Sequence, residues 1–234
     1  MNHVNTKGFT LIELMLSMAF LSVLLLAIAM TVIQIGNIYN RGLTLKEVNQ
    51  AGRSLSTELK KGIAQTAAFP IDYPAVGSKF VNRSWGGRLC VNQYSYIWNY
   101  GVTLNNQSAN VSNSNVYSVA STDKISFIKV PDPSSQYCTN PGGAIDPTGA
   151  VELLKVGDRN LAVHNFTISY DSLASDSKTQ QRLYYITFVL GTNDQAALAS
   201  NSTTCRPPSD NAADINYCSV NQFTLSARTI NAVQ

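Results

Sequence analysis

Lys7-Gly8-Phe9-Thr10-Leu11-Ile12-Glu13-Leu14-Met15 opens directly into an apolar run that reaches Ile35. A basic residue and a glycine stand before the run, so the boundary that looks cut lies ahead of the apolar segment, not after it. Across residues 14–33 only Ser17, Ser22 and Thr31 are polar, and none is charged. About 20 helical residues at ~1.5 Å rise span ~30 Å, the thickness of a bilayer core. The run is therefore a membrane-crossing helix, or one that becomes the core of something equally dry.

One carboxylate, Glu13, sits inside this stretch. At the centre of a membrane helix it costs ~2.5–3.5 kcal/mol, less near the interface, and such groups usually have a partner. No cation lies between Glu13 and Arg41, so this helix offers none within several turns. A cut before Phe9 creates an ammonium at the membrane edge. A neighbouring copy presenting that ammonium to Glu13 turns an unpaired charge into a drive for ordered stacking. The competing reading has Glu13 snorkel to the headgroups from its place one turn in. Gly8 suits cleavage, because a peptidase working beside a membrane needs a backbone without a side chain to clash. An ordinary secretory signal has an apolar region of roughly 7–15 residues followed by a small-residue site. This run is longer, although Ala27-Ile28-Ala29 does have the small-x-small form.

Gly8-Phe9-Thr10-Leu11-Ile12-Glu13 resembles the class III signal of type IV pilins and of the pseudopilins of type II secretion. The C-terminal part resembles, more loosely, PilW-like minor pilins and J-type minor pseudopilins. The resemblance implies that a prepilin peptidase cuts between Gly8 and Phe9 and methylates the new Phe9 amine. It makes Glu13 the assembly residue, and other pilins and an inner-membrane assembly platform the partners. It implies a single pass through the inner membrane with the C-terminal domain exported, then an extracellular or periplasmic filament. The expected fold is α+β, the pilin fold: a long N-terminal α-helix, transmembrane in its first half and amphipathic in its second, packed on a C-terminal antiparallel β-sheet. The expected function is a structural minor subunit of a type IV pilus-like filament. The alternatives are a J-like minor pseudopilin of a type II secretion system, or a pilus-tip adhesive or DNA-uptake subunit.

The residues divide the chain into a leader (1–8), a transmembrane and assembly helix (9–35), an amphipathic helix half (36–69) and an exported domain (70–234). In the third segment Leu45, Val48, Leu55, Leu59 and Ile63 recur at helical spacing, with Arg41, Lys46, Glu47, Arg53, Glu58, Lys60 and Lys61 on the other faces. Gly36, Gly42, Gly52 and Gly62 each weaken the helix by ~1 kcal/mol relative to alanine. Bending or local melting is expected at Gly36 and Gly42, and Phe69-Pro70 ends the helix near residue 68.

Residues 70–122 read as irregular, with turns at Gly86-Gly87 and Gly101, a loop at Asn105-Asn106-Gln107-Ser108-Ala109-Asn110 and one strand within 89–98. Tyr94, Tyr96 and Trp98 alternate there and are read as packing on helix and sheet rather than as a sugar-binding or adhesive surface. Residues 125–130, 151–156, 161–170, 183–190 and 222–230 carry strand patterns, with 183–190 central. A loop holding Cys138, Pro141-Gly142-Gly143 and Pro147 separates the first two. Four or five strands after one long helix, with no second helix at crossover spacing, argue for an antiparallel sheet.

All four cysteines, Cys90, Cys138, Cys205 and Cys218, follow the anchor, which suits an oxidising exterior and two disulfides. Three pairings are open. The short loop holding Pro207 and Pro208 favours Cys205–Cys218, which leaves Cys90–Cys138. Free buried thiols are the other reading. Residues 192–218 read as a long polar loop, and contacts with partners or surfaces are placed there.

Other chemistry is thin. The net charge of +3 lacks a basic stripe interleaved with aromatics, so no specific nucleic acid is evident. After leader removal His164 is the only histidine, set in a strand, and Asp171 and Asp176 bring no second acid pair. No enzyme activity and no cofactor are expected. Cys-x-x-Cys is absent, which argues against zinc. Asp210, Asn211, Asp214 and Asn216 have hard-cation ligand types without a recognisable spacing, so a solvated loop is preferred to a metal site.

Overall fold

The structure, a computed structural model, describes residues 8–105, 125–141, 145–146, 148–154, 160–171, 178–200, 203–211, 214 and 216–230. One helix, α1 (Leu11–Ala64), dominates it. Every residue from 8 to 39 is exposed. Burial starts at Thr44 and follows Val48, Ala51, Gly52, Leu55, Leu59, Gly62 and Ile63, one face at three-and-four spacing. Leu45, expected in that stripe, is 45% exposed, because it lies on the flank in the turn where the domain's cover begins. Gly36 and Gly42 do not melt the helix, which runs unbroken through both. It stops at Ala64, earlier than Phe69-Pro70 predicts. Thr66 is the cause: its hydroxyl donates to the Gly62 carbonyl at 2.9 Å and accepts the Asn92 N–H at 2.7 Å, drawing the chain off the helical path.

Two antiparallel meanders follow instead of the single sheet expected. The first comprises β1 (Phe80–Arg83), β2 (Gly86–Val91), β3 (Tyr94–Asn99), β4 (Phe127–Pro131) and β5 (Val151–Glu152), in that order. The second comprises β6 (Leu161–Tyr170), β7 (Leu183–Thr192) and β8 (Val220–Arg228), with β7 central. Short helices α2 (Gly101–Asn105) and α3 (Gln136–Thr139) fill connections. The arrangement is α+β: a long N-terminal helix followed by antiparallel sheets.

Residues 70–122, expected to be irregular, thus contain three strands. The strand expected within 89–98 is a hairpin that turns at Asn92, whose φ of 57° is a left-handed value asparagine tolerates. Gly86 and Gly87, expected in a turn, lie inside β2, where a Cβ would strike the Trp98 carbonyl and ring respectively. Glycine in a strand marks such a close approach. Gly101 opens α2 rather than a loop. Residues 106–110, Gly142, Gly143, Pro147, Val156 and Asp176 lie outside the described residues.

A column of aromatic rings joins the layers. Phe127 stacks on Trp98 at 5.4 Å, Trp98 on Phe166 at 4.2 Å, Phe166 on Phe188 at 6.0 Å and Phe188 on Phe223 at 5.3 Å. The last ring fills the notch left by Gly52 on α1, where a Cβ would enter it. Phe69 stacks on Tyr184 at 4.5 Å, and its N–H and carbonyl both bond the Tyr184 hydroxyl. On the helix's other flank Glu58 accepts from Tyr96 and Lys129. The Lys129 hydrogen bond holds the Glu58 carboxyl below its usual range, and burial, with the Glu58 charge beside it, pushes the Tyr96 hydroxyl up. The outer face of the first sheet has its own cover. Arg88 is buried in β2 and donates to the Tyr137 carbonyl, while buried Asp132 accepts from Ser95 and from the Gln136 and Tyr137 N–H groups.

The sheets meet where Tyr100 bridges Val163, beside a register shift in β6. His164 sits in that shift. Its Nε2 lies 3.1 Å from the Thr192 carbonyl, its ring lies against Gly101, and burial pushes its pKa below the ordinary 6.5.

Two outcomes follow for the full chain in detergent. Gly52→Ala destabilises by ~1–3 kcal/mol in a denaturant titration, because overpacking against Phe223 outweighs better helix propensity. Gly42→Ala, whose Cβ meets nothing, stabilises by up to ~1 kcal/mol. For His164, the unfolded side chain titrates near 6.5 and the folded one lower. Its contribution is complete above pH ~6.5 and is lost as pH falls from there through the folded value. Measured against His164→Gln from about pH 4.5 to about pH 8, the wild type loses relative stability only on the acid side.

Candidate functional site

The expected processing and assembly residues stand together at the exposed start of α1. Gly8 and Phe9 precede the helix, Phe9 being 85% exposed. Thr10 is its N-cap, with φ −78° and ψ 152°. Its hydroxyl accepts the Glu13 N–H at 3.4 Å and donates to Glu13 Oε2 at 2.8 Å, and its own N–H donates to the same oxygen at 2.9 Å. This is a capping box, satisfying donors that a helix start leaves open.

Glu13 therefore has a partner on its own helix, although no cation lies between it and Arg41. The partner is neutral and one turn away. The charge itself meets no cation among the described residues. The signal was in the sequence: Thr10-Leu11-Ile12-Glu13 has the capping spacing. Deeper in the run, Ser17, Ser22 and Thr31 each donate to a carbonyl three or four residues back, at 2.8–2.9 Å. Every polar side chain within residues 14–33 is thus satisfied within the helix, as a dry surrounding requires.

The second candidate region is the polar segment 192–218. The structure joins Cys90 to Cys138, with Cα atoms 6.1 Å apart, and Cys205 to Cys218, 5.9 Å apart. By loop-closure entropy the 48-residue separation is worth ~4 kcal/mol and the 13-residue one ~3 kcal/mol. The segment has a small core of its own, Ala197 and Leu198 against Cys218, and a bridge between Leu198 and Cys205. It also braces α1. The Thr44 hydroxyl donates to the Asn216 carbonyl at 3.3 Å and the Asn40 amide to the Tyr217 hydroxyl at 3.3 Å, where burial of the helix begins. No sequence signal marked this contact, which spans more than 170 residues.

The other candidates do not assemble into chemistry. Asp210 pairs with Arg206 at 3.0 Å, and Asp214 accepts the Asn216 N–H at 3.2 Å. No group of three or more metal-ligating side chains occurs among the described residues. Tyr96 and Trp98 are buried, and Tyr94 lies beneath the Lys129 ammonium, 4.0 Å from its ring centre. His164 is held by a backbone carbonyl in the joint between sheets.

α1 is long and apolar enough to cross a membrane. A family profile described as the prokaryotic N-terminal methylation motif matches residues 4–31, which takes in Gly8, Phe9, Thr10 and Glu13. No curated protein and no solved structure matches the chain. The motif, standing on a bare apolar helix that continues into an α+β domain, supports the type IV pilin-like and pseudopilin class and fits membrane anchoring.

Proposed function

We propose that the chain is a structural minor subunit of a type IV pilus-like filament. Residues 1–8 are the leader, cut between Gly8 and Phe9 by a prepilin peptidase that also methylates the Phe9 amine. Residues 9–35 anchor the precursor in the inner membrane and later pack with other pilins, and the domain that follows is exported. The inner-membrane assembly platform is the remaining partner. The leader and the exported location rest on the motif and on the resemblance.

One observation carries the reading. Twenty large apolar side chains between residues 9 and 39 stand exposed. At ~1.5–3 kcal/mol each, burying them is worth on the order of 30–60 kcal/mol. A folded domain has a net stability of only ~5–15 kcal/mol. The chain therefore needs lipid or sister helices around this segment, and the methylation motif supplies a route from one to the other. A minor pseudopilin of a secretion system uses the same route. A retraction ATPase gene beside this one favours the pilus, and a secretin-linked operon favours secretion.

Purified from filaments, the protein is expected to begin with N-methylated Phe9 by mass spectrometry. A mature form still carrying Met1, with no fibre containing it, sinks the reading. Glu13→Ala leaves insertion and cleavage intact but lowers the amount in filaments about ten- to seventyfold, the equivalent of the ~1.5–2.5 kcal/mol left of the cost of an unpaired charge once the cap is counted. Glu13→Gln separates two roles, because glutamine retains the capping acceptor while losing the charge. Loss of incorporation in both variants assigns the effect to charge; normal incorporation of Glu13→Gln assigns it to the cap.

A further inference from the structure

Among the described residues, the outer edge of the second sheet is long and undefended. β8 lies at the end of the order β6-β7-β8. Ser219 accepts the Thr192 N–H and Thr229 donates to the Arg182 carbonyl, so the odd-numbered residues of β8 turn their backbone groups toward β7. Val220, Gln222, Thr224, Ser226 and Arg228 therefore turn theirs outward. The register with β7 runs from Leu183–Arg228 to Gly191–Val220 without a bulge, β8 has no proline, and Arg228 is its only charge. Bulges, prolines, charges and short length are the usual protections of an edge. The other edges have them: β1 has four residues, β5 has two, and β6 is met by Tyr100.

Alongside this edge runs a line of cations. Asn49 bonds Asn221, Gly52 receives Phe223, and the Thr66 carbonyl accepts the Ile230 N–H, so helix and strand run side by side in one direction. That is ~25 Å of helix against ~30 Å of strand. Lys46, Arg53 and Lys60 recur every seventh residue on the flank beyond Asn49, ~10.5 Å apart, and all are exposed. They form no ion pair among the described residues. The acids of this half, Glu47 and Glu58, stand eleven residues apart and so share the opposite flank, where Glu58 meets Lys129 of the first sheet. Charge on the helix is thus segregated, with only cations beside the open edge.

We infer that this edge and this line together dock an extended acidic segment of a neighbouring subunit. The segment adds a strand to β8, taking affinity from main-chain hydrogen bonds, and sets its carboxylates against Lys46, Arg53 and Lys60. The occupant rests on the filament reading; the site rests on the edge and the charges. A nucleic acid fits less well, because it would use the cations, find no aromatic interleaved with them along the helix and leave the strand edge unfilled.

The test is site-specific photocrosslinking from p-benzoylphenylalanine placed at Thr224 of the full chain in producing cells, with Val76 on a remote turn as the control position. The expected product is an adduct at 224, absent at 76, whose crosslinked peptide belongs to another fibre subunit and carries Asp or Glu. Lys46→Glu/Arg53→Glu/Lys60→Glu together lowers it tenfold or more. So does Gln222→Pro, which deletes an outward N–H and no bond to β7; if that variant fails to fold, the charge reversals decide. An adduct indifferent to charge reversal, an adduct to nucleic acid, or no adduct in fibres that contain the protein overturns the proposal. Immunogold labelling reads the filament assignment separately. If the protein is absent from fibres that assignment falls, and an acidic adduct from elsewhere then overturns the occupant proposed.

Discussion

The contact between Phe223 and Gly52 is where a rod becomes part of a domain. At ~1.5 Å per residue α1 is ~80 Å long, and the domain grips only its last twenty or so residues. That grip is made by one aromatic column running from β4 through both sheets to the notch at Gly52. A Cβ at this point would push the ring, and with it β8, off the helix. Gly62 repeats the device at the first sheet, where a Cβ would come within 3.0 Å of the Tyr96 hydroxyl and 3.1 Å of Val91. Two glycines that cost the helix ~1 kcal/mol each in propensity thus set how the domain rides on it.

The helix and the second sheet were legible because each shows one period. Residues 161–170 and 222–230 alternate, and the buried line from Val48 to Ile63 keeps helical spacing. In the first sheet β3, β4 and β5 were legible, but β2 was not, because it is buried on both faces and carries residues that argue against a strand. β2 reads Gly-Gly-Arg-Leu-Cys-Val and every residue of it is buried. Its glycines exist to admit Trp98, its arginine is satisfied by the Tyr137 carbonyl, and its cysteine is bonded to Cys138. None of those partners is close in sequence, so no local pattern encodes them. The same holds for segment 192–218, which looked like free surface and in fact holds α1 at Asn40 and Thr44.

At the N-terminus the order of difficulty reverses. The motif from Gly8 to Glu13 is plain in the sequence, while its geometry is set by a neutral capping contact that the pattern of charges does not reveal. Thr10 and Glu13 close the first turn on each other: the carboxylate accepts two hydrogen bonds from Thr10 in the free chain, and the Glu13 N–H donates to the Thr10 hydroxyl. This matters for the filament reading, because a satisfied carboxylate has less to gain from a neighbour's amine.

Magnitudes decide the balance. A capping interaction is worth ~1 kcal/mol, and its hydrogen bonds exchange for others at little net gain. An ionised carboxylate carried into an apolar bundle costs ~2.5–3.5 kcal/mol, and Thr10 brings no charge to offset it. The cap therefore orders the first turn and aims the carboxylate without discharging it. A drive of roughly 1.5–2.5 kcal/mol remains for an incoming ammonium, about ten- to seventyfold in an equilibrium constant. Because the cap uses only the Thr10 N–H and hydroxyl, the proposed cleavage before Phe9 would leave its new amine free for the next subunit. One turn of helix then presents an acid and an amine that do not need each other, which is the arrangement a repeating stack requires.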